Sequence, residues 1–490
     1  MMIGLPSTKI DDYSKRVLEL VKPGSVILFS RNIIDREQIT EFINSITSFL
    51  GYKPLIAIDQ EGGIVTRLVK GFSVSPGAMA IVSTGSSENA YTTGRILGSE
   101  MKSAGIDWNL APVVDINNNY NNPAIGIRSF SNNKNTVIEY ATQFIKGLTE
   151  KGIITCLKHF PGNGRVSTDP HLDMPTLNIS KEEIYKTELA PFIAINAPSW
   201  MPTHLYAPAI QTSKIPITVS KEILTDMIRT ELKYEGVLIA DDLNMGGVSN
   251  FYSPEDLAIK SLEAGMAMIS FCDNIEKQIS VKKSLNIKFK EDNIFHERIK
   301  EAENRIENLF KQRNNMQSHP VNIQNFQNNK TAIDKISLQS VQILKNEDNL
   351  IPLNWTDNIF AVKAARLVLV EESKEGIQEV VTETSKYLNC SITIYNREIS
   401  ERESLLLLKK AKGKRNIIFT ENAHLIPNQI KFIENLNNLS KDLIMIALRN
   451  PYDADINGIR NVICSFGYNT SQQTGILEKL LDKFTLETKT

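Results

Sequence analysis

Short apolar runs rich in β-branched residues alternate along this chain with longer segments that carry apolar residues at helical spacing. The run Ser25–Ser30 (SVILFS) predicts a buried strand, and residues 35–50 follow it with apolar side chains on one helical face. Strands that alternate with helices indicate a parallel sheet, and eight such units predict a closed TIM-like (β/α)8 barrel. The predicted strands are Ser25–Ser30, Pro54–Asp59, Asp107–Ile116, Gly152–Phe160, Trp200–His204, Pro216–Ser220, Gly236–Asp242 and Gly265–Cys272.

An Asn- and Gln-rich stretch without apolar periodicity, residues 316–334, interrupts this pattern and predicts a linker. The β/α pattern then resumes, with predicted strands at Arg366–Glu372, Ser391–Asn396, Asn416–Glu421, Asp442–Leu448 and Asn461–Phe466. We therefore predict an α/β protein with a catalytic barrel (residues 1–315) and a smaller C-terminal α/β/α sandwich domain (residues 335–490). The second domain lacks a GxGxxG loop and a P-loop, so its sequence predicts no bound nucleotide.

Composition and charge limit which partners, location and cysteine roles the sequence predicts. Of 490 residues, 55 are Lys or Arg and 56 are Asp or Glu, so charge gives no reason to expect a nucleic acid or an acidic membrane as partner. The sequence has neither an N-terminal signal pattern nor an apolar run of spanning length, which favours a cytoplasmic location. The four cysteines lack CxxC spacing and predict core thiols rather than a metal or disulfide framework. The oligomeric state is left open.

The segment Lys158–Asp173 (KHFPGNGRVSTDPHLD) concentrates the polar chemistry of the chain. It follows an apolar run and contains two of the six histidines, together with Asp169 and Asp173. A Pro/Gly-rich loop after a buried parallel strand lies where ligands bind in barrels. We therefore predict that this is an active-site loop.

Further polar clusters fall at or just after the other predicted strands. They are Asp59 with Arg67, Arg128, His204, and Asp241 with Asp242. A single carboxylate at a strand end is often only a helix N-cap, but several clusters on one rim indicate a catalytic face. No GxSxG, HExxH or phosphate-binding motif is present. A carboxylate nucleophile with a separate proton donor suits retaining glycoside hydrolysis, in which the sugar is trapped covalently.

The motifs then indicate a family. DQEGGIVTRL, NLAPVVDIN, NPAIGIRSF, KHFPGNG…DPH and GVLIADDLNM occur in this order. The chain resembles glycoside hydrolase family 3, specifically its NagZ-type β-N-acetylglucosaminidases in their two-domain form. SVQILKNEDNLIPL and ALRNPYD extend the resemblance into the second domain. The resemblance implies a retaining β-N-acetylhexosaminidase that needs no cofactor or metal and acts on a carbohydrate carrying terminal β-linked N-acetylglucosamine.

The resemblance also implies roles for residues. Alternation along a strand cannot choose between Asp241 and Asp242, whereas the family motif places the nucleophile at Asp241. The loop-borne Asp-x-His implies that His171 is the acid/base and that Asp169 orients its ring; an imidazole can both give and accept a proton near neutral pH. The implied sugar-binding residues are Asp59, Arg67, Arg128, Lys158 and His159.

Three positions depart from the family pattern. Asn163 replaces a histidine, which affects how the loop is anchored, Pro170 replaces a serine between Asp169 and His171, and Ile64 replaces an arginine. None of these changes removes a residue with an implied chemical role.

Other functions are compatible with the same residues. A phosphorylase on this scaffold is one, because a histidine donor would not repel an incoming phosphate. A metal-dependent hydrolase could use His159, Asp169, His171 and Asp173 as ligands, and a non-catalytic sugar-binding protein would show affinity without turnover. The natural substrate could be a muropeptide of cell wall recycling, a chitin fragment or a glycoconjugate.

Overall fold

The computed structural model describes residues 1–315, 323–363 and 377–481. Its first part contains eight strands that pair in chain order, each parallel to the next, and the eighth strand pairs with the first to close the barrel. The strands are β1 (Met2–Gly4), β2 (Ser25–Leu28), β3 (Leu55–Ile58), β4 (Trp108–Asn109), β5 (Ile154–Phe160), β6 (Ser199–Pro202), β7 (Val237–Asp242) and β8 (Met268–Phe271).

Helices surround this barrel. They are α1 (Asp12–Val21), α2 (Arg36–Leu50), α3 (Ala78–Ser83), α4 (Glu88–Ser103), α5 (Lys134–Glu150), α6 (Lys181–Glu183), α7 (Ala190–Ala194), α8 (Gly246–Ser249), α9 (Pro254–Ala264), α10 (Ile275–Glu291) and α11 (Asn293–Asn315). Two π-helices occupy Ile184–Glu188 and Glu222–Glu231, and 3₁₀ turns occupy Ser30–Asn32, Gly126–Arg128 and Ile217–Val219.

Local sequence explains why α2 forms where it does. Asp35 caps its N-terminus by accepting a hydrogen bond from the backbone N of Gln38 at 3.0 Å. Gly51 ends it with a left-handed φ of 73°, which glycine adopts without steric cost. The predicted apolar face is buried against the barrel, and burial of such a face supplies most of a helix's stability in a protein.

The second domain is a six-stranded sheet with helices on both faces, as predicted. Its strands are β9 (Gln342–Asn346), β10 (Asn358–Val362), β11 (Ser391–Tyr395), β12 (Arg415–Thr420), β13 (Asp442–Ala447) and β14 (Asn461–Cys464), in the order β11-β10-β12-β13-β14-β9. Only β9 is antiparallel to its neighbour among the described strands. The helices are α12 (Ile323–Ser340), α13 (Ile377–Leu388), α14 (Glu401–Ala411), α15 (Pro427–Leu439) and α16 (Thr470–Leu480), with 3₁₀ turns at Ala423–Leu425 and Pro451–Asp455.

The two domains share an apolar core. One of the two clusters that cover the second sheet also contains barrel residues, namely Ile64, Val65, Met79, Ala80 and Ile127. These residues come from the segments after β3 and β4, at the same end of the barrel as the predicted site. The second domain therefore packs directly behind two site-forming loops.

The sequence predicted the correct number of barrel strands, but one of the eight predicted strands is wrong and one real strand was not predicted. Pro216–Ser220 is not a strand; Ile217–Val219 forms a 3₁₀ turn whose bonds run from Val219 N to Pro216 O and from Ser220 N to Ile217 O. The missing strand is β1, whose three buried residues are too few to show a period. Gly152–Phe160, the fourth predicted strand, accordingly corresponds to β5, and Lys158 and His159 lie near its C-terminal end.

Two further predictions concern the second domain. Residues 323–334 of the predicted linker lie in α12, where Ile333 and Ile336 are buried three residues apart in an otherwise polar sequence. The division at residues 315 and 335 stays a prediction. The predicted strand Arg366–Glu372 lies outside the described residues. Strands β9 and β10 were not among the predicted strands.

All four cysteines are free thiols, and Cys156, Cys272 and Cys464 are buried in the domain cores. In the described parts of the chain, no helix combines the length and the apolar character needed to cross a bilayer.

Candidate active site

A cavity of about 410 Å³ opens at the C-terminal ends of the barrel strands. Seven of the eight predicted site residues line it: Asp59, Arg67, Arg128, Lys158, His159, His171 and Asp241. The eighth, Asp169, is hydrogen-bonded to His171. The fold thus brings together residues from five separate stretches of the sequence.

Buried charges of both signs form one wall of the cavity. The Nζ of Lys158 lies 2.7 Å from Oδ1 of Asp59 and 2.6 Å from Oε1 of Glu61. Arg128 donates to both oxygens of Glu61, from Nε at 2.9 Å and from Nη2 at 2.8 Å. Arg67 approaches Asp59 at 3.9 Å. A two-pronged arginine–carboxylate pair fixes both partners in orientation, so this wall is preorganised.

Glu61 and Lys158 remain charged at neutral pH. Burial raises the pKa of Glu61, but the charges of Arg128 and Lys158 outweigh it and hold that pKa well below its usual range. Burial lowers the pKa of Lys158, and Asp59 with Glu61 more than compensate, so that its pKa is raised. The wall therefore presents fixed charges and hydrogen-bonding atoms to a polar ligand, as a polyhydroxylated sugar requires.

A third carboxylate, that of Asp115, binds His159, the residue that follows Lys158 in β5. Its Oδ2 lies 2.6 Å from Nδ1 of His159, and its Oδ1 accepts from the backbone N of His159 and of Asn163 at 3.1 and 2.7 Å. The pairing of β5 with β6 shifts register between Lys158 and Phe160. Such an irregularity re-aims side chains and accounts for how the consecutive residues Lys158 and His159 both line the cavity.

The predicted acid/base pair lies on the segment 161–173, here named the acid/base loop. Oδ1 of Asp169 lies 2.7 Å from Nδ1 of His171 and accepts from its backbone N at 2.9 Å. The His171 side chain is 25% exposed and lines the cavity, so the ring is held at one nitrogen while its edge reaches the cavity. Burial raises the pKa of Asp169, but its hydrogen bond to His171 and the charge of that ring outweigh this, leaving the pKa lowered.

The acid/base loop is docked on a glycine pair that follows β7. Gly246 N donates to His171 O at 3.0 Å, and Gly247 N donates to Pro170 O at 2.9 Å. A Cβ at Gly246 would lie 2.4 Å from Leu172 O, which is closer than real Cβ atoms approach. Close approach of two backbones therefore requires glycine here.

Two consecutive aspartates end β7 and both line the cavity, again beside a register shift in the strand pairing. Oδ1 of Asp242 accepts from Asn244 N, Asn244 Nδ2 and Cys272 N at 3.1, 3.0 and 3.2 Å, which ties this carboxylate to the turn. Oδ1 of Asp241 accepts from the backbone N of Asp242 at 2.8 Å. The two side chains thus have different surroundings despite their adjacent positions.

Their pKa values move in opposite directions. Burial raises the pKa of Asp241, but three neighbouring histidine rings outweigh it and leave the pKa below its ordinary value. These rings are His159, His204 and His171. Burial raises the pKa of Asp242 to about 6, with the Asp241 and Asp273 charges adding to the effect. Asp241 is therefore the more acidic of the two carboxyls and stays ionised over the wider pH range.

His204, which the sequence placed on the same rim, lies behind this strand end. Its Nδ1 is 2.9 Å from Oγ1 of Thr218, and its Nε2 is 3.1 Å from the carbonyl O of Asp242. The side chain is fully buried, and burial lowers its pKa. His204 supports the turn that carries both aspartates.

The three departures from the family pattern are accommodated locally. Asn163 donates from Nδ2 to Oγ1 of Thr203 at 3.0 Å, which anchors the loop. Pro170 keeps its carbonyl bond to Gly247. Ile64 packs in the apolar cluster shared with the second domain, so an apolar contact stands where the family pattern has an arginine.

The residues considered as metal ligands do not converge on one point. His159 is bonded to Asp115, Asp169 is bonded to His171, and Asp173 is exposed. Over residues 1–315, 323–363 and 377–481, no group of three or more His, Cys, Asp or Glu side chains is arranged to hold a metal ion.

The sequence reading missed two carboxylates that organise the site. Glu61 lies two residues after Asp59 in the DQEGG motif, and Asp115 precedes the asparagine-rich segment. Both follow strands, so the signal that selected Asp59 could have selected them as well. Their partners, Arg128 and His159, are 67 and 44 residues away in the chain, and only the fold reveals these pairs.

The barrel matches a known protein family. The description "Glycosyl hydrolase family 3 N terminal domain" matches residues 2–309. Beta-hexosaminidase A of Pseudoalteromonas piscicida is 35% identical over 283 residues, which cover 53% of this chain and 47% of that protein. The chain thus spans about half the length of this relative. Beta-hexosaminidase of Haemophilus influenzae (strain Rd) is 33% identical over 322 residues, covering 64% of this chain and 89% of that protein.

A solved structure extends the likeness to both domains. The glycoside hydrolase family 3 β-N-acetylglucosaminidase from Paenibacillus sp. str. FPU-7 superposes with a TM-score of 0.87 at 27% identity, covering 97% of this chain and 94% of that one.

Proposed function

Because the chain belongs to glycosyl hydrolase family 3, we propose that it is a retaining β-N-acetylglucosaminidase that releases terminal β-linked N-acetylglucosamine. One observation carries the proposal. The anionic Asp241 and the oriented His171 line the same cavity, beside a wall of fixed charges that suits sugar hydroxyls. The hexosaminidase names of the relatives and of the structural neighbour point to the same class of substrate.

In the proposed reaction, Asp241 is the nucleophile. Its carboxylate attacks the anomeric carbon as the glycosidic C–O bond breaks, which forms a covalent glycosyl-ester. Asp242 is the weaker candidate because three donors hold one of its oxygens and its pKa is raised. With a pKa of about 6, Asp242 is partly protonated in mildly acidic solution, where a protonated carboxyl is a poor nucleophile, so the surroundings of the pair favour Asp241.

His171 is the proposed acid/base. It gives a proton to the departing oxygen in the first step. In the second step it takes a proton from water, whose oxygen bonds to the anomeric carbon as the ester bond to Asp241 breaks, so that the enzyme returns to its initial state. Asp169 holds Nδ1 of the ring, which leaves Nε2 for proton transfer and stabilises the imidazolium. Asp59, Arg67, Arg128, Lys158 and His159 are the proposed sugar-binding residues.

Product analysis tests this proposal. Purified protein is incubated with an aryl β-N-acetylglucosaminide, and proton NMR follows the first anomer released. We expect free sugar in the β configuration, because two displacements at the anomeric carbon restore the original configuration. The α anomer as the first product would contradict the retaining mechanism.

The same assay with inorganic phosphate separates hydrolysis from phosphorolysis. We expect free N-acetylglucosamine at all phosphate concentrations. A sugar 1-phosphate as the main product would instead identify a phosphorylase on the same scaffold, and absence of turnover on β-N-acetylglucosaminides would contradict the proposed function.

A further inference from the structure

An asparagine-rich segment connects the second domain to the acid/base loop. Residues 117–122 (NNNYNN), here named the asparagine loop, follow β4 and contact both. We propose that the second domain positions the acid/base loop through the asparagine loop, with Tyr452 and His424 as positioning residues. This inference rests on the proposed function, because it assigns the acid/base role to His171.

Two contacts attach the asparagine loop to the second domain. Asn117 donates from Nδ2 to the hydroxyl of Tyr452 at 2.7 Å. Nε2 of His424 lies 3.1 Å from the carbonyl O of Tyr120. The Tyr452 ring packs against both residues, with centroid distances of 6.2 Å to Tyr120 and 5.5 Å to His424. One hydroxyl and one imidazole from the second domain therefore hold the first and the fourth residue of this short barrel loop.

The second-domain side of this contact is rigid. Asp453 is fully buried, and its Oδ1 lies 2.6 Å from Nδ1 of His424 and accepts from that residue's backbone N at 3.0 Å. Its Oδ2 accepts from Oγ1 of Thr420 at 2.7 Å. A satisfied buried network of this kind fixes the side chains it contains, so His424 is a fixed support and not a flexible surface group.

On the barrel side, the asparagine loop holds the base of the acid/base loop. Asn122 donates from Nδ2 to the carbonyl O of Asn163 at 2.6 Å and of Val166 at 2.8 Å. Asn119 N donates to Gly164 O at 3.3 Å. These bonds seat the strand-proximal half of the loop, from which residues 167–173 extend to carry the Asp169–His171 pair.

A buried carboxylate reinforces this seat. Asn118 donates from Nδ2 to Oε1 of Glu188 at 3.0 Å, and Arg165 donates from Nε to the same oxygen at 2.7 Å. The asparagine loop and the acid/base loop thus share one acceptor. Movement of the asparagine loop would be transmitted to Arg165 through it.

The described residues that line the cavity all come from the barrel. The second domain consequently acts on the reaction through the loops it supports and not by direct contact with the sugar. Loosening the asparagine loop should displace His171 while leaving Asp241 and the charged wall in place. The effect on catalysis should then be confined to proton transfer.

The test compares Tyr452→Phe with Tyr395→Phe in the full-length protein. Tyr452→Phe deletes the hydroxyl that accepts from Asn117 and keeps the ring. Tyr395→Phe deletes a buried hydroxyl that donates to Phe419 O at 3.2 Å within the second domain, so it serves as the matched control. Each variant is assayed on a disaccharide of β-linked N-acetylglucosamine and on the dinitrophenyl glycoside of the same sugar.

We expect Tyr452→Phe to lower kcat/KM on the disaccharide by about tenfold and on the dinitrophenyl glycoside by less than about twofold, since only the basic leaving group needs the proton. Tyr395→Phe should leave this ratio at the wild-type value. His424→Ala should shift the ratio in the same direction as Tyr452→Phe. Equal losses on both substrates for Tyr452→Phe, or an unchanged disaccharide rate, would overturn the coupling.

Hydrogen exchange of the peptide covering residues 161–173 supplies a readout that does not depend on turnover. We expect its amides to exchange about fivefold faster in Tyr452→Phe than in wild type, and no change in Tyr395→Phe. Unchanged exchange in Tyr452→Phe would overturn the coupling even in an active enzyme. A wild-type protein without glycosidase turnover would contradict the proposed function alone, and the exchange experiment would still decide whether the second domain positions the loop.

Discussion

The barrel contains two histidine–aspartate pairs, His159–Asp115 and His171–Asp169, and the second of these has a counterpart of nearly the same local geometry in the second domain, His424–Asp453. In the barrel, Nδ1 of His171 lies 2.7 Å from Asp169, and in the second domain Nδ1 of His424 lies 2.6 Å from Asp453. In both pairs the aspartate also accepts from the backbone N of its histidine. The pairs differ in what surrounds the rest of the ring.

The His171 side chain is 25% exposed and lines the cavity that contains Asp241, whereas the His424 side chain is 6% exposed and its Nε2 faces the carbonyl O of Tyr120. An imidazole can transfer a proton to a substrate only if one nitrogen reaches that substrate. The pair geometry alone therefore does not identify an acid/base. The partner of the second ring nitrogen decides between catalysis and support.

The largest predicted effect comes from removing each ring in turn. His171→Ala should lower kcat/KM on a disaccharide by about 10²- to 10⁴-fold, the usual contribution of general acid–base catalysis, and far less on a dinitrophenyl glycoside. His424→Ala should lower disaccharide turnover by about tenfold, because its ring acts only through the loops. Steady-state kinetics of both variants on both substrates measure this.

The comparison would fail if the two variants behaved alike. Similar losses for His171→Ala on both leaving groups, with glycosylation as the measured step, would make His171 a structural residue. A larger loss for His424→Ala than for His171→Ala would reverse the roles assigned to the pairs.

Replacing the aspartate of each pair should affect different properties, namely activity for Asp169 and stability for Asp453. Asp169→Asn should lower disaccharide turnover by about 10- to 100-fold, since the amide no longer stabilises the imidazolium, with little change in unfolding. Asp453→Asn should instead lower the free energy of unfolding by about 2 kcal/mol, because a fully buried carboxylate with three bonds is replaced. Urea unfolding and disaccharide kinetics on both variants check this, and an unfolding change of equal size in the two would remove the distinction.

A smaller effect is expected where the acid/base loop docks. Gly246→Ala should lower disaccharide turnover by about tenfold, because the new Cβ would lie 2.4 Å from Leu172 O and must displace the loop. Gly24→Ala is the matched control, since nothing lies within 4 Å of its Cβ position. Kinetics on the disaccharide and on the dinitrophenyl glycoside should show leaving-group dependence for Gly246→Ala only. Wild-type behaviour of Gly246→Ala would show that the docking seen here is not needed for catalysis.

The smallest predicted effect concerns Asp242. Like the histidine–aspartate pairs of the two domains, Asp241 and Asp242 are chemically alike and differ in their surroundings. Its pKa is raised to about 6 in the folded protein, so the folded state binds this proton more tightly than the unfolded chain. The resulting stability is fully present below the unfolded pKa near 4 and is lost as pH rises through 6. Asp242→Asn removes this dependence.

We therefore expect the variant to gain stability relative to wild type as pH rises. Its free energy of unfolding minus that of wild type should be larger by about 1–2 kcal/mol at pH 7.5 than at pH 4.5. Urea titrations of both proteins at the two pH values measure it. The same difference at both pH values would contradict the pKa assigned to Asp242.

Local patterns in the sequence predicted the fold class, and the family resemblance implied eight site residues, seven of which line the cavity. Apolar runs ending in polar residues mark the strand ends, as at Lys158 and Asp241. Elements without such a signal were missed. Strand β1 is three residues long, and Pro216–Ser220 resembles a strand in composition although its backbone forms a 3₁₀ turn.

Partnerships between distant residues could not be predicted from spacing. Glu61 binds Arg128 across 67 positions, and Asn117 binds Tyr452 across 335. The asparagine-rich segment has the composition of an exposed loop, and only its contacts show that it joins the second domain to the acid/base loop. Alternation along the strand likewise could not choose between Asp241 and Asp242, and only the family motif favoured Asp241; in the structure, the surrounding donors and histidines separate the two.

The most direct test of the account traps the glycosyl-enzyme. The wild-type protein is treated with a slow fluorinated N-acetylglucosaminide, and the labelled peptide is identified by mass spectrometry. We predict a label on Asp241, with no label and no turnover in Asp241→Asn, because the amide cannot form the glycosyl-ester. A label on Asp242, or an active Asp241→Asn variant, would contradict the account.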